Sequence, residues 1–124
     1  MIKADNSLDT LRNDIDLQDS VLHNLQLAIQ GCIDIGSHII SDEGWGIAGS
    51  LGDILYTLRD RNVIEAELTE RLVSMIGFRN ILIHEYDDIN IDIVYDVLQN
   101  RLKDIDQYLL SIIDYFNLAE SDTP

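Results

Sequence analysis

Four side chains that can handle charge and protons stand close together in the octapeptide Arg79-Asn80-Ile81-Leu82-Ile83-His84-Glu85-Tyr86. A guanidinium offers a planar fork of donors that matches a phosphate or a carboxylate. An imidazole changes charge near neutral pH, so it can give or take a proton. The octapeptide closes a long apolar segment, Leu68 to Ile83, whose pattern predicts a central, buried helix. Polar groups inside such a segment are costly unless they are paired or face a shared polar site. A conflict of this kind between local pattern and polar content is where a functional site is expected.

At about 100° per residue, Thr69, Val73, Gly77, Asn80 and His84 fall on one narrow face of this helix. Leu72, Ile76, Arg79 and Ile83 form the neighbouring face, so Arg79 stands inside an apolar stripe. Asn80 lies one turn below His84, where it can orient the ring or bond a ligand. Arg79 and His84 are about 140° apart, too far around one helix to converge easily on a small target. Two such helices crossing at a two-fold axis would each supply both residues to a common cleft. Arg79 and Tyr86 come within about 20° of each other if the helix continues that far. A plainer role exists for each residue. His84 suits a helix C-terminus, where the dipole favours a cation. Arg79 can be half of a structural ion pair, and Tyr86 can cover the helix end with its ring.

The other elements follow from caps and periodicity. Ser7 is placed to cap a short helix from Leu8 to Asn13. Asp14 or Asp16 caps the next helix, which runs to about Ile40 with two apolar rows. Val21, Leu25, Ala28, Cys32, Ile35 and Ile39 form one row, and Leu22, Ile29, Ile33, Gly36 and Ile40 the other. Asp34 and His38 on this helix are spaced for a solvated ion pair. They can instead line the cleft, with the carboxylate pairing with Arg79. No third ligand accompanies them at helical spacing, so no metal site is expected. Asp42 to Gly46 reads as a loop, with Trp45 plugging the core edge. Ser50 and Leu51 open a short helix whose Leu51, Ile54, Leu55 and Leu58 face inward. Arg59 and Arg61 near its end read as solvated cations. After the motif, Asn90 caps a last long helix bearing Ile91, Val94, Leu98, Leu102, Ile105, Leu109, Ile112 and Phe116. Tyr56, Tyr95, Tyr108 and Tyr115 read as core-edge aromatics, and Glu120 to Pro124 as a fraying tail.

The fold expected is therefore all-α: an antiparallel bundle of four main helices with a possible short N-terminal helix. A chain of 124 residues, 46% of them apolar, predicts a single domain, 1–124, with a real core. The lone cysteine, Cys32, excludes a disulfide framework and reads as a small core residue. No signal peptide and no apolar run approaching a membrane span is evident, which predicts a soluble, cytoplasmic chain without a membrane partner. The net charge of −15, from 23 acidic and 8 basic residues, argues against broad electrostatic capture of nucleic acid. A local site of Arg79, His84 and their two-fold mates can still hold one or two phosphates.

The stretch Arg79 to Tyr86 resembles the Arg-x4-His-x-Tyr motif of the HepT-type toxins of the HEPN superfamily. The flanks agree: Leu17-Gln18-Asp19-Ser20-Val21 with Asn24-Leu25-Gln26, Cys32-Ile33-Asp34-Ile35, the approach Leu72 to Asn80, and the helix Ile91 to Asp104. The resemblance covers roughly residues 14 to 116. Residues 1–13 are short for the family's additional N-terminal helix, and Leu22-His23 stand where an acidic–basic pair is common.

The resemblance implies a helical homodimer in which two motifs meet and cut RNA without metal or other cofactor. It implies a partner, a minimal nucleotidyltransferase antitoxin of the MntA type, which silences the toxin by adenylylating the motif tyrosine, Tyr86 here. In that chemistry a ribose 2′-hydroxyl attacks the adjacent phosphorus. His84 would serve as general acid or base, Arg79 as phosphate clamp and Asn80 as support or RNA contact. RNA rather than DNA is the expected substrate. A second function stays open: a non-catalytic HEPN subunit that presents nucleotide or substrate to a nucleotidyltransferase. The intact Arg79/His84 pair favours the first, and the acidic charge favours the second.

Overall fold

The computed structural model describes residues 4–84 and 88–121, and the regular structure within them is helical throughout. In order come α1 (Ala4–Asn13), α2 (Ile15–Glu43), α3 (Leu51–Asp60), α4 (Ala66–His84), α5 (Ile91–Asn100) and α6 (Leu102–Ser121). Three helix starts carry the side-chain caps that the sequence offers. Asp14 accepts from the Leu17 amide at 3.0 Å, Ser50 from Asp53 at 3.2 Å and Asn90 from Asp92 at 2.9 Å. Gly44 ends α2 in the left-handed region, φ 69°, where its N–H reaches the carbonyls of Ile40 and Ser41. Three boundaries differ from expectation. Ser7 lies inside α1 rather than before it, Asp42 and Glu43 remain helical, and α6 runs on through Glu120 to Ser121.

Two apolar clusters hold the helices. The larger joins Ile29, Cys32, Ile33, Ile39 and Ile40 of α2 to Ile54, Leu55 and Leu58 of α3. Leu68, Leu72, Met75 and Ile76 of α4 and Tyr108 and Ile112 of α6 complete it. The smaller joins Leu11 of α1, Leu22 and Leu25 of α2, Leu82 of α4, and Val94 and Val97 of α5. Phe78 packs against both. Thus α4 threads the two clusters, and its motif end is seated in the second. Trp45 packs half-buried at the core edge, against Tyr115 (centroids 6.1 Å apart) and under Arg61.

The expected last helix is two helices. It breaks at Arg101 (φ −115°), in the exposed run Gln99-Asn100-Arg101, where no apolar side chain is held against the core. The bundle therefore has six helices among the described residues rather than four main ones and a short fifth. The inward face keeps Val94 and Ile112 of the expected apolar stripe, with Ile91, Leu98, Ile105 and Phe116 packed beside it, but not Leu102 and Leu109, which are more than a third exposed. It runs through Val94, Val97, Asp104, Tyr108 and Ile112, turned by roughly 80°. The reason is that two polar groups have partners waiting. Asp104, 1% exposed, accepts from Arg71 Nε at 2.9 Å, with Arg101 at 3.9 Å. Tyr108, expected at the core edge, is fully buried, and its hydroxyl donates to the Cys32 carbonyl at 2.8 Å. Burial pushes both the Tyr108 phenol and the Cys32 thiol above their ordinary pKa values.

Gly36 makes room for this contact. A Cβ there would stand 2.8 Å from both Ile54 Cγ2 and the Tyr108 hydroxyl. Gly36→Ala is therefore expected to destabilise the fold by about 1–3 kcal/mol despite alanine's better helix propensity, since overpacking outweighs it. The urea midpoint measures the loss.

Candidate functional site

Helix α4 has one buried face and one open face. Leu68, Thr69, Leu72, Met75, Ile76 and Leu82 are buried. Ser74, Gly77, Asn80, Ile81, Ile83 and His84 are exposed. The expectation of a helix enclosed all round is thus met on one side only. Leu82, 1% exposed in the middle of the motif, pins this end of α4 against α1, α2 and α5.

Arg79 falls within the arc of the buried residues, and its guanidinium reaches across to α2. Nη2 donates to the Gln30 amide oxygen, and Gln30 Nε2 donates in turn to Asp34 Oδ1 at 2.8 Å. Nη1 donates to the Asn80 amide oxygen at 3.4 Å. Nε is enclosed without an acceptor. Among the described residues no carboxylate lies within ion-pair distance of Arg79, whereas Arg12, Arg59, Arg71 and Arg101 each have an aspartate. The structural ion pair considered for Arg79 is therefore absent among these residues. Two neutral amides hold the cation, and among the described residues no carboxylate offsets its charge. Such an arrangement suits an anion that comes and goes.

His84 is the last residue of α4 as described, exposed at its C-terminal end, with Asn80 exposed one turn below. Arg79 and His84 make no hydrogen bond to each other among the described residues, in keeping with their separation around the helix. Tyr86 lies outside the described residues. The Asp34–His38 pair does not form. His38 pairs with Asp42 at 3.1 Å, both exposed, and Asp34 is taken by Gln30. Asp34 thus reaches Arg79 only through an intervening amide. Sequence reasoning passed over Gln30. Its one signal is that it stands four residues before Asp34, at the border of the apolar rows of α2.

Both helices also carry exposed apolar side chains. Leu27 (55%) and Ile35 (39%) are exposed on α2, and Ile81 (45%) and Ile83 (38%) on α4. Glycines at 31 and 77 add flat ground, with nothing within 4 Å of the place a Cβ would occupy. No helix among the described residues is long and apolar enough to cross a membrane.

An all-helical bundle whose core-threading helix ends in Arg-x4-His has the HEPN-like fold. The chain belongs to the ribonuclease HepT-like family, whose model matches residues 2–112. It is 41% identical over 98 residues to the mRNA nuclease HepT of Shewanella oneidensis, a match covering 79% of this chain and 74% of that protein. It is 29% identical over 116 residues to the tRNA nuclease HepT of Aphanizomenon flos-aquae, covering 94% and 79%. Among solved structures, a tri-AMPylated Shewanella oneidensis HEPN toxin in complex with an MNT antitoxin superposes with a TM-score of 0.78. That toxin is 39% identical, with 84% of this chain and 78% of that one covered. A chain of a toxin–antitoxin structure with AMP-PNP gives a TM-score of 0.77 at 39% identity, covering 82% and 78%.

Proposed function

We propose that this chain is the toxin of a toxin–antitoxin pair and a metal-independent endoribonuclease, working as a single helical domain, 1–124. Membership of the HepT-like family and the likeness to an mRNA nuclease support the reaction class. The observation that carries the site is the state of Arg79. In an acidic chain, one cation on α4 is bonded to amides, and no carboxylate among the described residues pairs with it. Arg79 is then the phosphate clamp and His84 the general acid or base. Asn80 supports the guanidinium through its amide oxygen. A 2′-hydroxyl attacks the adjacent phosphorus, losing its proton to a base, and the 5′-oxygen leaves as it gains a proton from an acid. With two histidines in one cleft, the two proton transfers are divided between them.

The second histidine comes from a second copy. The apolar faces of α2 and α4, with flat glycine ground at 31 and 77, support an isologous homodimer that encloses both motifs. Sedimentation velocity should return a dimer at micromolar concentration, and a stable monomer there contradicts this arrangement. His84→Ala and Arg79→Ala are each expected to lower RNA cleavage by about 10² to 10⁴, with helical circular dichroism unchanged. Cleavage by the wild type should persist in EDTA. Activity lost to EDTA and restored by a divalent metal defeats the metal-free mechanism.

The antitoxin in this reading is an MntA-type nucleotidyltransferase, and Tyr86 is the residue it modifies. The phenol oxygen attacks the α-phosphorus of ATP and pyrophosphate leaves. The phosphodiester so formed carries a negative charge beside the motif, where it competes with RNA for Arg79. Tyr86→Phe should keep its ribonuclease activity yet escape silencing. Intact-mass spectrometry after incubation with antitoxin and ATP gives the answer: AMP still added to Tyr86→Phe means that the target lies elsewhere.

A further inference from the structure

We propose that Gln30 is a positioning residue for Arg79, and that its neutrality is the property that matters. The inference rests on the assignment of Arg79 as the phosphate clamp. The Gln30 amide spans α2 and α4, accepting from Arg79 Nη2 and donating to Asp34 Oδ1 at 2.8 Å. Asp34 is exposed on α2, and it fixes which end of the amide faces the guanidinium. With Nε2 committed to Asp34, the oxygen must face Arg79. The result is a cation held in place by a dipole. A carboxylate at position 30 would hold it equally well but would neutralise it.

Three observations agree. Of the other five arginines, Arg12, Arg59, Arg71 and Arg101 each pair with an aspartate among the described residues, and Arg61 lies over the Trp45 ring. Among the described residues Arg79 is bonded to two side-chain amides, those of Gln30 and Asn80. Its Nε is left enclosed without an acceptor, and no aspartate or glutamate among the described residues fills that place. A guanidinium whose only task was to tie α2 to α4 would gain from a carboxylate. One that must bind and release phosphate would lose by it.

The Gln30→Glu exchange separates these cases, because it preserves size and the acceptor oxygen while adding charge. The full chain is compared as wild type, Gln30→Glu, Gln30→Ala and Arg79→Ala, on a mixed-sequence fluorogenic oligoribonucleotide. Thermal melting is followed alongside. For Gln30→Glu, KM is expected to rise by about tenfold or more, the scale of one lost charge-assisted hydrogen bond, with kcat changing less. Its melting temperature should hold or rise. Gln30→Ala should fall between wild type and Arg79→Ala. Wild-type kinetics in a well-folded Gln30→Glu chain overturn the proposal and leave Gln30 as packing alone. Titration with inorganic phosphate, followed by NMR, supplies a reading that needs no cleavage. Wild type should bind phosphate more tightly than Gln30→Glu and Arg79→Ala, and equal binding by all three overturns the proposal. If wild type cleaves no RNA but this order of phosphate affinity holds, the ribonuclease assignment fails and the role of Gln30 stands.

Discussion

The structure turns on placing a permanent cation where the pattern of α4 calls for an apolar side chain. A guanidinium keeps its charge in a half-buried position because deprotonation is out of reach. Its surroundings must therefore supply acceptors. In this chain they are the amide oxygens of Gln30 and Asn80. The rest of the fold fixes the distance between the helices that bear them. Leu72, Met75 and Ile76 on α4 pack with Ile29, Cys32 and Ile33 on α2, and Leu82 anchors the turn beyond Arg79 in the second cluster. Side chains packed at crystal-like density leave little freedom for the gap that Gln30 bridges. The polar contact is a consequence of the apolar packing.

A net charge of −15 gives the molecule a field that repels phosphate at long range. In the function proposed, discrimination must then come from close contacts, at distances where one guanidinium outweighs a diffuse background screened within about 8–10 Å at ordinary salt. This explains why the disposition of individual arginines matters more than their number. Arg71 and Arg101 gather around the buried carboxylate of Asp104, and Arg61 lies over Trp45. Those cations tie helices and loops together. Among the described residues Arg79 is held by two amide oxygens and no carboxylate.

The helical class, the caps at Asp14 and Asn90, the start of α3 at Ser50, the row of α2 through Leu22, Ile29, Ile33, Gly36 and Ile40 and the inward face of α3 were legible because each rests on local rules of spacing and capping, whereas Ala28 and Ile35 of the other α2 row are exposed. The limits of that legibility have a common cause. Apolar spacing put Leu102 and Leu109 inward on the last helix, but Asp104 and Tyr108 took those places. Each met a partner from a distant part of the chain, Arg71 in one case and the Cys32 carbonyl in the other. Position along the helix cannot disclose such a partner. The same holds at the site. Arg79 was legible as a polar residue inside an apolar stripe, and its bond to Gln30, 49 residues away, was not. Asp34 and His38 stand at the correct spacing for a local pair, yet each has another partner at the same spacing, Gln30 on one side and Asp42 on the other. Spacing of i, i+4 says which pairs can meet, and on α2 it allowed three in succession.

In the function proposed, the motif puts two opposite demands on one helix. Arg79 belongs to the face that α2 covers, and His84 to the face that stays open. Five residues of helix fix the angle between them at about 140°, and no rotamer change removes that angle. A chain that needs both groups on one phosphate can change the helix or double it. Changing it would cost the backbone bonds of a turn that Leu82 already holds in the core. Doubling it by a two-fold axis leaves that turn intact and draws on apolar side chains already exposed on α2 and α4, Leu27, Ile35, Ile81 and Ile83. In the doubled arrangement the open face of one α4 meets that of the other. The distance between each arginine and the opposite histidine is then set by how the two copies dock, so geometry that one helix cannot supply becomes adjustable at the interface.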